Sequence, residues 1–342
     1  MHIGIITGGG DVPGLNAAVR AAARRAFGYG HTVTGILNGW AGLVDNEMRP
    51  ITDKTVSGIL HKGGTILGTS RVNILKDEAM VKQALGNARA AGIDALIVLG
   101  GTDTLQVAHG IHQAGLPVVA IPKTMDNNVW GTDYCIGFDT ACTVIADALD
   151  RLHTTASSHH RVIIVEVMGR NSGWAAAVGG LSGGADIVLV PERPTTVGKI
   201  CDRIRHRFEE RSRSFSIVVI AEGSKITDLP DPDLGEPDDF GNVRQDRRNV
   251  GKRLQQEIES CLDIECRSLV LGHLQRGGSP TVFDRVLATR LGVAAADLVE
   301  QGWVGQMVAL KENRIAPVQL SQVAGKVKQL DPEYLELMTI FY

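Results

Sequence analysis

Short apolar runs rich in valine and isoleucine recur along the chain, at residues 2–7 (HIGIIT), 94–100 (DALIVLG), 117–122 (PVVAIP), 161–169 (RVIIVEVMG), 186–192 (DIVLVPE), 215–223 (FSIVVIAEG) and 267–273 (RSLVLGH). Their apolar positions are nearly continuous, which is the pattern of strands covered on both faces. Between them the spacing changes to that of amphipathic helices, at 15–28 (LNAAVRAAARRAFG), 142–153 (CTVIADALDRLH), 197–212 (VGKICDRIRHRFEERS) and 285–302 (RVLATRLGVAAADLVEQG). The alternation predicts an α/β fold, with doubly wound, mainly parallel sheet flanked by helices. A chain of 342 residues exceeds one compact layer, so two such lobes are expected. The first takes residues 1–138 and a return over about 250–305; the second takes 139–249 and about 306–342. The stretch 225–242 (KITDLPDPDLGEPDDFGN), dense in proline, glycine and acid, is expected to be a solvated excursion.

Ligands of doubly wound sheets sit beyond the carboxyl ends of the strands, and the polar chemistry of this chain is concentrated there. Its 40 glycines exceed average usage of roughly 7% and cluster where apolar runs stop. Thr7–Arg20 (TGGGDVPGLNAAVR) is a strand, three glycines including Gly10, and a helix start. Its backbone N–H groups suit an anion, although a tight turn without ligand gives the same pattern. Gly100–Thr104 (GGTDT) is a second such turn, in which Asp103 is either a functional carboxylate or a helix cap. A third, Ile121–Asp133 (IPKTMDNNVWGTD), crowds Lys123, Thr124, Asp126, Asn127 and Asn128 onto one strand end. A lysine there neutralises phosphoryl charge, and an aspartate takes the proton of an attacking hydroxyl. Arg71, Arg161, Arg170, Arg267, His273 and Arg276 lie at other strand ends or turns. Each alone reads as a surface ion pair; together with the glycine turns they point to a phosphorylated substrate gripped by guanidinium groups.

Several classes drop out. A net charge of −3 carries no general nucleic-acid footprint. The five cysteines form no Cys-x-x-Cys pair and suit reduced thiols in a cytoplasmic protein. The first residues show no basic n-region or long apolar h-region, and no apolar run approaches about 18 residues, so neither a secretory leader nor a membrane span is expected. His159 and His160 lack metal-ligand spacing, and there is no nucleophile-elbow serine.

Taken in order, GGGDVPGLN, GGTDT, PKTMDNN, GTDY, SSHHR, VEVMGR, PE, AEG and GHLQRGG resemble the phosphofructokinase family over residues 1–310. The glycine turns alone are shared with other kinases; the Pro-Lys-Thr-x-Asp-Asn and Gly-His-x-Gln-Arg-Gly-Gly runs are not. The resemblance implies a reversible, Mg²⁺-dependent phosphoryl transfer to the 1-hydroxyl of fructose 6-phosphate, with Asp126 as base and Thr124 as a substrate contact. Gly10, Arg71 and Lys123 would then surround the transferred group, and Met168, Gly169, Arg170, Glu222, His273 and Arg276 the sugar phosphate. Positions matching Arg161 and Arg267 reach into a neighbouring subunit in the family, which implies a homodimer or homotetramer. Asp103 and Lys123 together resemble the pyrophosphate-dependent type. A carboxylate about 4 Å from a nucleotide α-phosphate costs roughly 4 kcal/mol at an effective dielectric near 20, so pyrophosphate rather than ATP is the expected donor. Thr102 and Asn128 replace acids usual in the family, which leaves Asp103 as the candidate Mg²⁺ ligand. Lys54 and His153 replace arginines of the effector site, implying little nucleotide regulation. The rival readings are an ATP-dependent enzyme and a sugar-phosphate sensor without catalysis.

Overall fold

The computed structural model describes residues 1–209, 214–243 and 245–340. In chain order the strands are β1 (His2–Thr7), β2 (Thr32–Ile36), β3 (Met48–Ile51), β4 (Ala95–Gly100), β5 (Val118–Pro122), β6 (Val162–Val167), β7 (Ile187–Leu189), β8 (Ser216–Ala221), β9 (Cys266–Val270), β10 (Gln306–Lys311) and β11 (Arg314–Gln319). The helices are α1 (Leu15–Gly28), α2 (Gly39–Val44), α3 (Glu78–Ala90), α4 (Thr102–Gln113), α5 (Phe138–His159), α6 (Trp174–Ser182), α7 (Val197–Glu209), α8 (Val250–Leu262), α9 (Val282–Glu300), α10 (Leu320–Val323) and α11 (Pro332–Ile340).

Two compact units result, one of Met1–Thr140 with Arg276–Lys328, the other of Ala141–Gln275 with Gln329–Tyr342. The first holds a seven-stranded sheet of order β11-β10-β5-β4-β1-β2-β3. Its centre is parallel; β3 and β11 pair antiparallel at the two edges, and each edge strand contains a proline, Pro50 opposite Thr34 and Pro317 opposite Val308. The strand order reverses between β4 and β1, which makes the crevice beyond their carboxyl ends the natural ligand position. Small residues let α1 and α9 approach closely: a side chain at Gly292 would collide with the Ala18 carbonyl and the Ala21 methyl. The second unit holds a four-stranded, wholly parallel sheet, β7-β8-β6-β9. Its core joins Val162, Ile164, Val218 and Ile220 of the strands to Ile200 and Ile204 of α7 and Leu254 and Ile258 of α8.

The expected fold class holds, and the expected boundaries move. Residues 250–275, assigned to the first lobe from the sequence, lie in the second unit because β9 pairs with β6. Residues 306–328, assigned to the second, lie in the first because β10 joins β5. The excursion 225–242 is irregular and mostly exposed, as expected. Residues 210–212, the end of the helix read over 197–212, and residues 341–342 of the expected second lobe lie outside the described residues.

Candidate active site

Two glycine turns lie side by side in the first unit because β1 and β4 are neighbours. The Gly8 amide donates to the Leu99 carbonyl at 2.9 Å, and a Cβ on either Gly8 or Gly100 would strike the Thr104 side chain. The backbones therefore close up only with glycine at both places. The first turn is also stitched to residues 65–71. Thr7 Oγ1 donates to the Gly68 carbonyl at 2.7 Å, Thr69 Oγ1 to the Gly9 carbonyl at 2.5 Å and the Gly9 amide to the Ser70 carbonyl at 3.0 Å. That stitching delivers Arg71 to the turn. Arg276 arrives from after β9; its Nη1 donates to the Asp11 carbonyl at 3.2 Å and occupies the space a Cβ on Gly10 would need.

Lys123 enters the same turn from the end of β5. It is 2% exposed, and Nζ donates to the carbonyls of Gly8 at 2.8 Å and Gly10 at 2.5 Å. Burial pushes its pKa down to about 7, and the positive fields of Arg276 and Arg71 add to the shift while Asp11 opposes it. Three basic side chains thus gather at one turn, two of them through its carbonyls, and their combined field favours an anion there.

Asp103 stands in the first turn of α4, whose N-cap is Gly101. None of Thr102, Asp103 and Thr104 takes the cap position, though the helix dipole still favours the aspartate's charge. The turn abuts Lys123 through its backbone, the Lys123 amide donating to the Gly100 carbonyl at 3.0 Å. Thr124 Oγ1 accepts from the Asp126 amide at 3.1 Å, fixing the half-buried Asp126 just beyond. Asn127 then holds a left-handed backbone, φ 49°. Its side chain donates to the Asp133 carbonyl at 3.0 Å and accepts from the Cys135 amide at 2.9 Å, folding residues 127–135 into a closed loop. Sequence reading singled out Asn127 only as part of a polar crowd; nothing in the sequence marked Thr7 or Thr69.

In the second unit, Met168, Gly169 and Arg170 follow β6 and Glu222 follows β8, so both groups lie at the carboxyl end of one sheet. The pairing continues past the strands: the Glu222 amide donates to the Val167 carbonyl at 2.9 Å and the Gly223 amide to the Gly169 carbonyl at 3.0 Å. A side chain at Gly223 would overlap the Arg170 carbonyl. His273 is exposed in the 3₁₀ turn Gly272–Arg276 after β9. Arg161 and Arg267 are elsewhere. Arg161 precedes the first residue of β6, and Arg267 pairs with Ile163, which puts both at the amino end, a strand length or roughly 20 Å away. There they share Glu265, at 3.3 Å from Arg161 and 2.5 Å from Arg267.

The donors suit a magnesium ion carried in by phosphate better than a protein-built cage. Among the described residues no group of three or more His, Cys, Asp or Glu side chains is placed to hold a metal ion. Around the glycine turns the acids are Asp11, Asp103 and Asp126, with neutral Thr102 and Asn128 beside them. Magnesium commonly takes one or two carboxylates and fills its shell with water and substrate oxygens.

Two doubly wound sheets, with glycine turns, cations and a lysine-aspartate pair at the strand ends of the first, define an α/β phosphotransferase. The family model described as phosphofructokinase matches residues 2–299, and the chain belongs to that family. A pyrophosphate--fructose 6-phosphate 1-phosphotransferase of Dictyoglomus thermophilum is 44% identical over 344 residues, covering 100% of this chain and 99% of the relative. An ATP-dependent 6-phosphofructokinase of Corynebacterium efficiens is 44% identical over 340 residues, covering 97% and 96%. The phosphofructokinase of Pichia pastoris in its T-state superposes with a TM-score of 0.81 at 32% identity; 94% of this chain matches 35% of that one.

Proposed function

We propose that this protein transfers a phosphoryl group reversibly from pyrophosphate to the 1-hydroxyl of fructose 6-phosphate, giving fructose 1,6-bisphosphate and phosphate. The observation that carries the reading is the convergence of Lys123, Arg71 and Arg276 on the Gly8–Asp11 turn beside Asp103. These cations lower the electrostatic cost of gathering donor and acceptor phosphates and stabilise charge on the departing phosphate. Asp126 accepts the hydroxyl proton as the oxygen attacks the phosphorus, and the bond to the leaving phosphate breaks in line. Backbone N–H groups around Gly10 orient the transferred group, and Thr124 positions the sugar. Asp103 would hold Mg²⁺, which when bound neutralises charge on the donor oxygens.

Met168, Gly169, Arg170, Glu222 and His273 form the sugar-phosphate pocket, with Arg276 on the side of the transferred group. Arg161 and Arg267 complete the pocket of a second copy. Their separation from Met168–Arg170 along a single sheet supports this, since one chain cannot close both ends around one small molecule. The active form in this proposal is a homodimer or homotetramer in the cytoplasm, a location that phosphorylated substrates and unpaired cysteines suit.

Donor choice separates this reading from the ATP-dependent one, which the Corynebacterium relative favours at equal identity. The measurement is kcat/KM for pyrophosphate and for ATP in wild type and in Asp103→Gly. Wild type prefers pyrophosphate; the variant gains ATP turnover and loses pyrophosphate turnover, since it removes both the obstacle to an α-phosphate and a metal carboxylate. A wild type that uses ATP as well as pyrophosphate, or a donor ratio unchanged within about twofold in the variant, a difference of only about 0.4 kcal/mol, rejects the assignment.

A further inference from the structure

Beneath the Glu222 loop lies a cation that the mechanism above does not use. Arg248 is 5% exposed, in the short connection before α8. Its Nη1 donates to the Glu222 carbonyl at 2.6 Å and its Nη2 to the Ser224 carbonyl at 2.9 Å. Nε and Nη2 both donate to Asp231 Oδ1, at 2.9 and 2.6 Å. A buried guanidinium is strongly disfavoured unless its N–H groups are partnered, so this one is committed to two backbone carbonyls and one carboxylate.

We propose that Arg248 is a positioning residue for the sugar-phosphate pocket: anchored by Asp231, it fixes the carbonyls of Glu222 and Ser224 and thereby the loop that presents Met168–Arg170 and Glu222. The geometry transmits directly. Glu222 and Gly223 are tied by their amides to Val167 and Gly169, and Gly223 lies against the Arg170 carbonyl with no room for a side chain. Ser224 Oγ donates to the Leu189 carbonyl at 2.9 Å. With the carbonyls on either side of Gly223 held by one rigid fork, neither peptide can rotate without stranding a guanidinium N–H. The buried Glu166 of β6 accepts from the Gly251 amide at 2.8 Å and feels the Arg248 charge, so the same cation also braces the start of α8 against the strand that leads to Met168.

Asp231 belongs to the acidic excursion 225–242, which thus gains a role. The excursion is pinned at its near end, where Asp228 accepts from the Val197 amide at 2.9 Å and the Thr195 amide donates to the Lys225 carbonyl at 3.1 Å. Asp231 carries that anchorage to Arg248, and Arg253 donates to the neighbouring Pro230 carbonyl. The excursion acts as a tether for the pocket loop.

The inference rests on Arg170 and Glu222 lining the sugar pocket, so Arg170→Ala is measured beside the test variants. The variants are Arg248→Met, Arg248→Lys and Asp231→Asn in the full chain, and the readouts are KM for fructose 6-phosphate, KM for pyrophosphate and Tm. Arg248→Met is expected to raise KM for the sugar phosphate about tenfold or more, because two carbonyls and a carboxylate lose their donors, with KM for pyrophosphate within about twofold. Arg248→Lys, which keeps the charge but not the fork, recovers part of the loss. Asp231→Asn, at a half-exposed position, raises the sugar KM about threefold or more with Tm little changed. A soluble Arg248→Met with unchanged sugar KM, or with both KM values rising together, overturns the inference. Should Arg248→Met not fold, an unchanged sugar KM in Asp231→Asn overturns it. An Arg170→Ala variant with normal sugar KM overturns the pocket assignment itself, and the inference with it.

Discussion

Lys123 should change its protonation when the donor binds. In the empty site its pKa is about 7, against an ordinary 10.5, with burial the main cause. At about 1.4 kcal/mol per unit, the fold disfavours the ammonium by about 5 kcal/mol. The unfolded chain therefore binds the proton more readily, and this group makes the empty protein less stable as pH falls from 10.5 towards 7. A phosphate charge about 4 Å away returns about 4 kcal/mol at an effective dielectric near 20, and pyrophosphate brings more than one such charge. Bound donor should thus restore the pKa to above about 9. At pH 8 the empty site is only about one-tenth protonated, so binding draws in about 0.9 proton per site. Titration calorimetry with pyrophosphate, in two buffers of different ionisation enthalpy at fixed Mg²⁺, counts that proton. Lys123→Met keeps the length of the side chain and removes the titrating group, so whatever protons pyrophosphate itself exchanges remain and the difference between proteins isolates Lys123. A difference below about 0.2 proton in a folded Lys123→Met that still binds donor refutes the idea that the lysine meets the donor as a newly charged group.

Asp126→Asn keeps shape and removes the base; kcat should fall on the order of 100-fold or more with little change in sugar KM, and near-normal kcat would remove Asp126 from the role. Arg267→Ala should chiefly raise KM for fructose 6-phosphate through loss of a charge-assisted contact of roughly 1.5–3 kcal/mol, and a fully active monomer in sedimentation and assay at the same concentration would show that the pocket is not shared. Asp284 is buried and accepts from the Gly137 amide at 2.8 Å and the Thr140 amide at 2.9 Å, with its pKa pushed up to about 6 by burial. Stability from this group is greatest below the ordinary 3.8 and is lost as pH rises through about 6. Urea unfolding of wild type against Asp284→Asn should therefore show the wild type losing about 2 kcal/mol relative to the variant between pH 4.5 and 7, and a difference independent of pH would contradict that account.

The parts of the fold that were legible are those in which one element satisfies itself. The continuous apolar strands β1, β4, β5, β6 and β8 appear within a residue or two of their expected ends because burial on both faces leaves one reading. The strands β10 and β11 were missed. Their turn is Glu312–Asn313, with both residues at positive φ (47° and 64°), where asparagine-glycine would have been the recognisable signal, and Pro317 argues against a strand until its edge position is known. The lobe boundaries failed for a related reason: which sheet β9 and β10 join is decided by long-range pairing, which local pattern does not encode. In the site, the glycine turns and Lys123 were readable because their chemistry is local. Arg248 was not, since its partners Glu222, Ser224 and Asp231 are scattered along the chain and an arginine beside another arginine in sequence looks like surface.

The proline on each edge of the seven-stranded sheet has a consequence for what the borders of that sheet can join. Pro50 lies in a strand of only four residues and Pro317 in one of six, so each border lacks one backbone donor for a ladder with a foreign strand. Growth of the sheet across a molecular boundary is thereby discouraged, in the folded protein and in partly opened forms where an intact border would template misassembly. At these two borders any recognition is left to side chains, where it depends on shape and charge rather than on a shared backbone ladder.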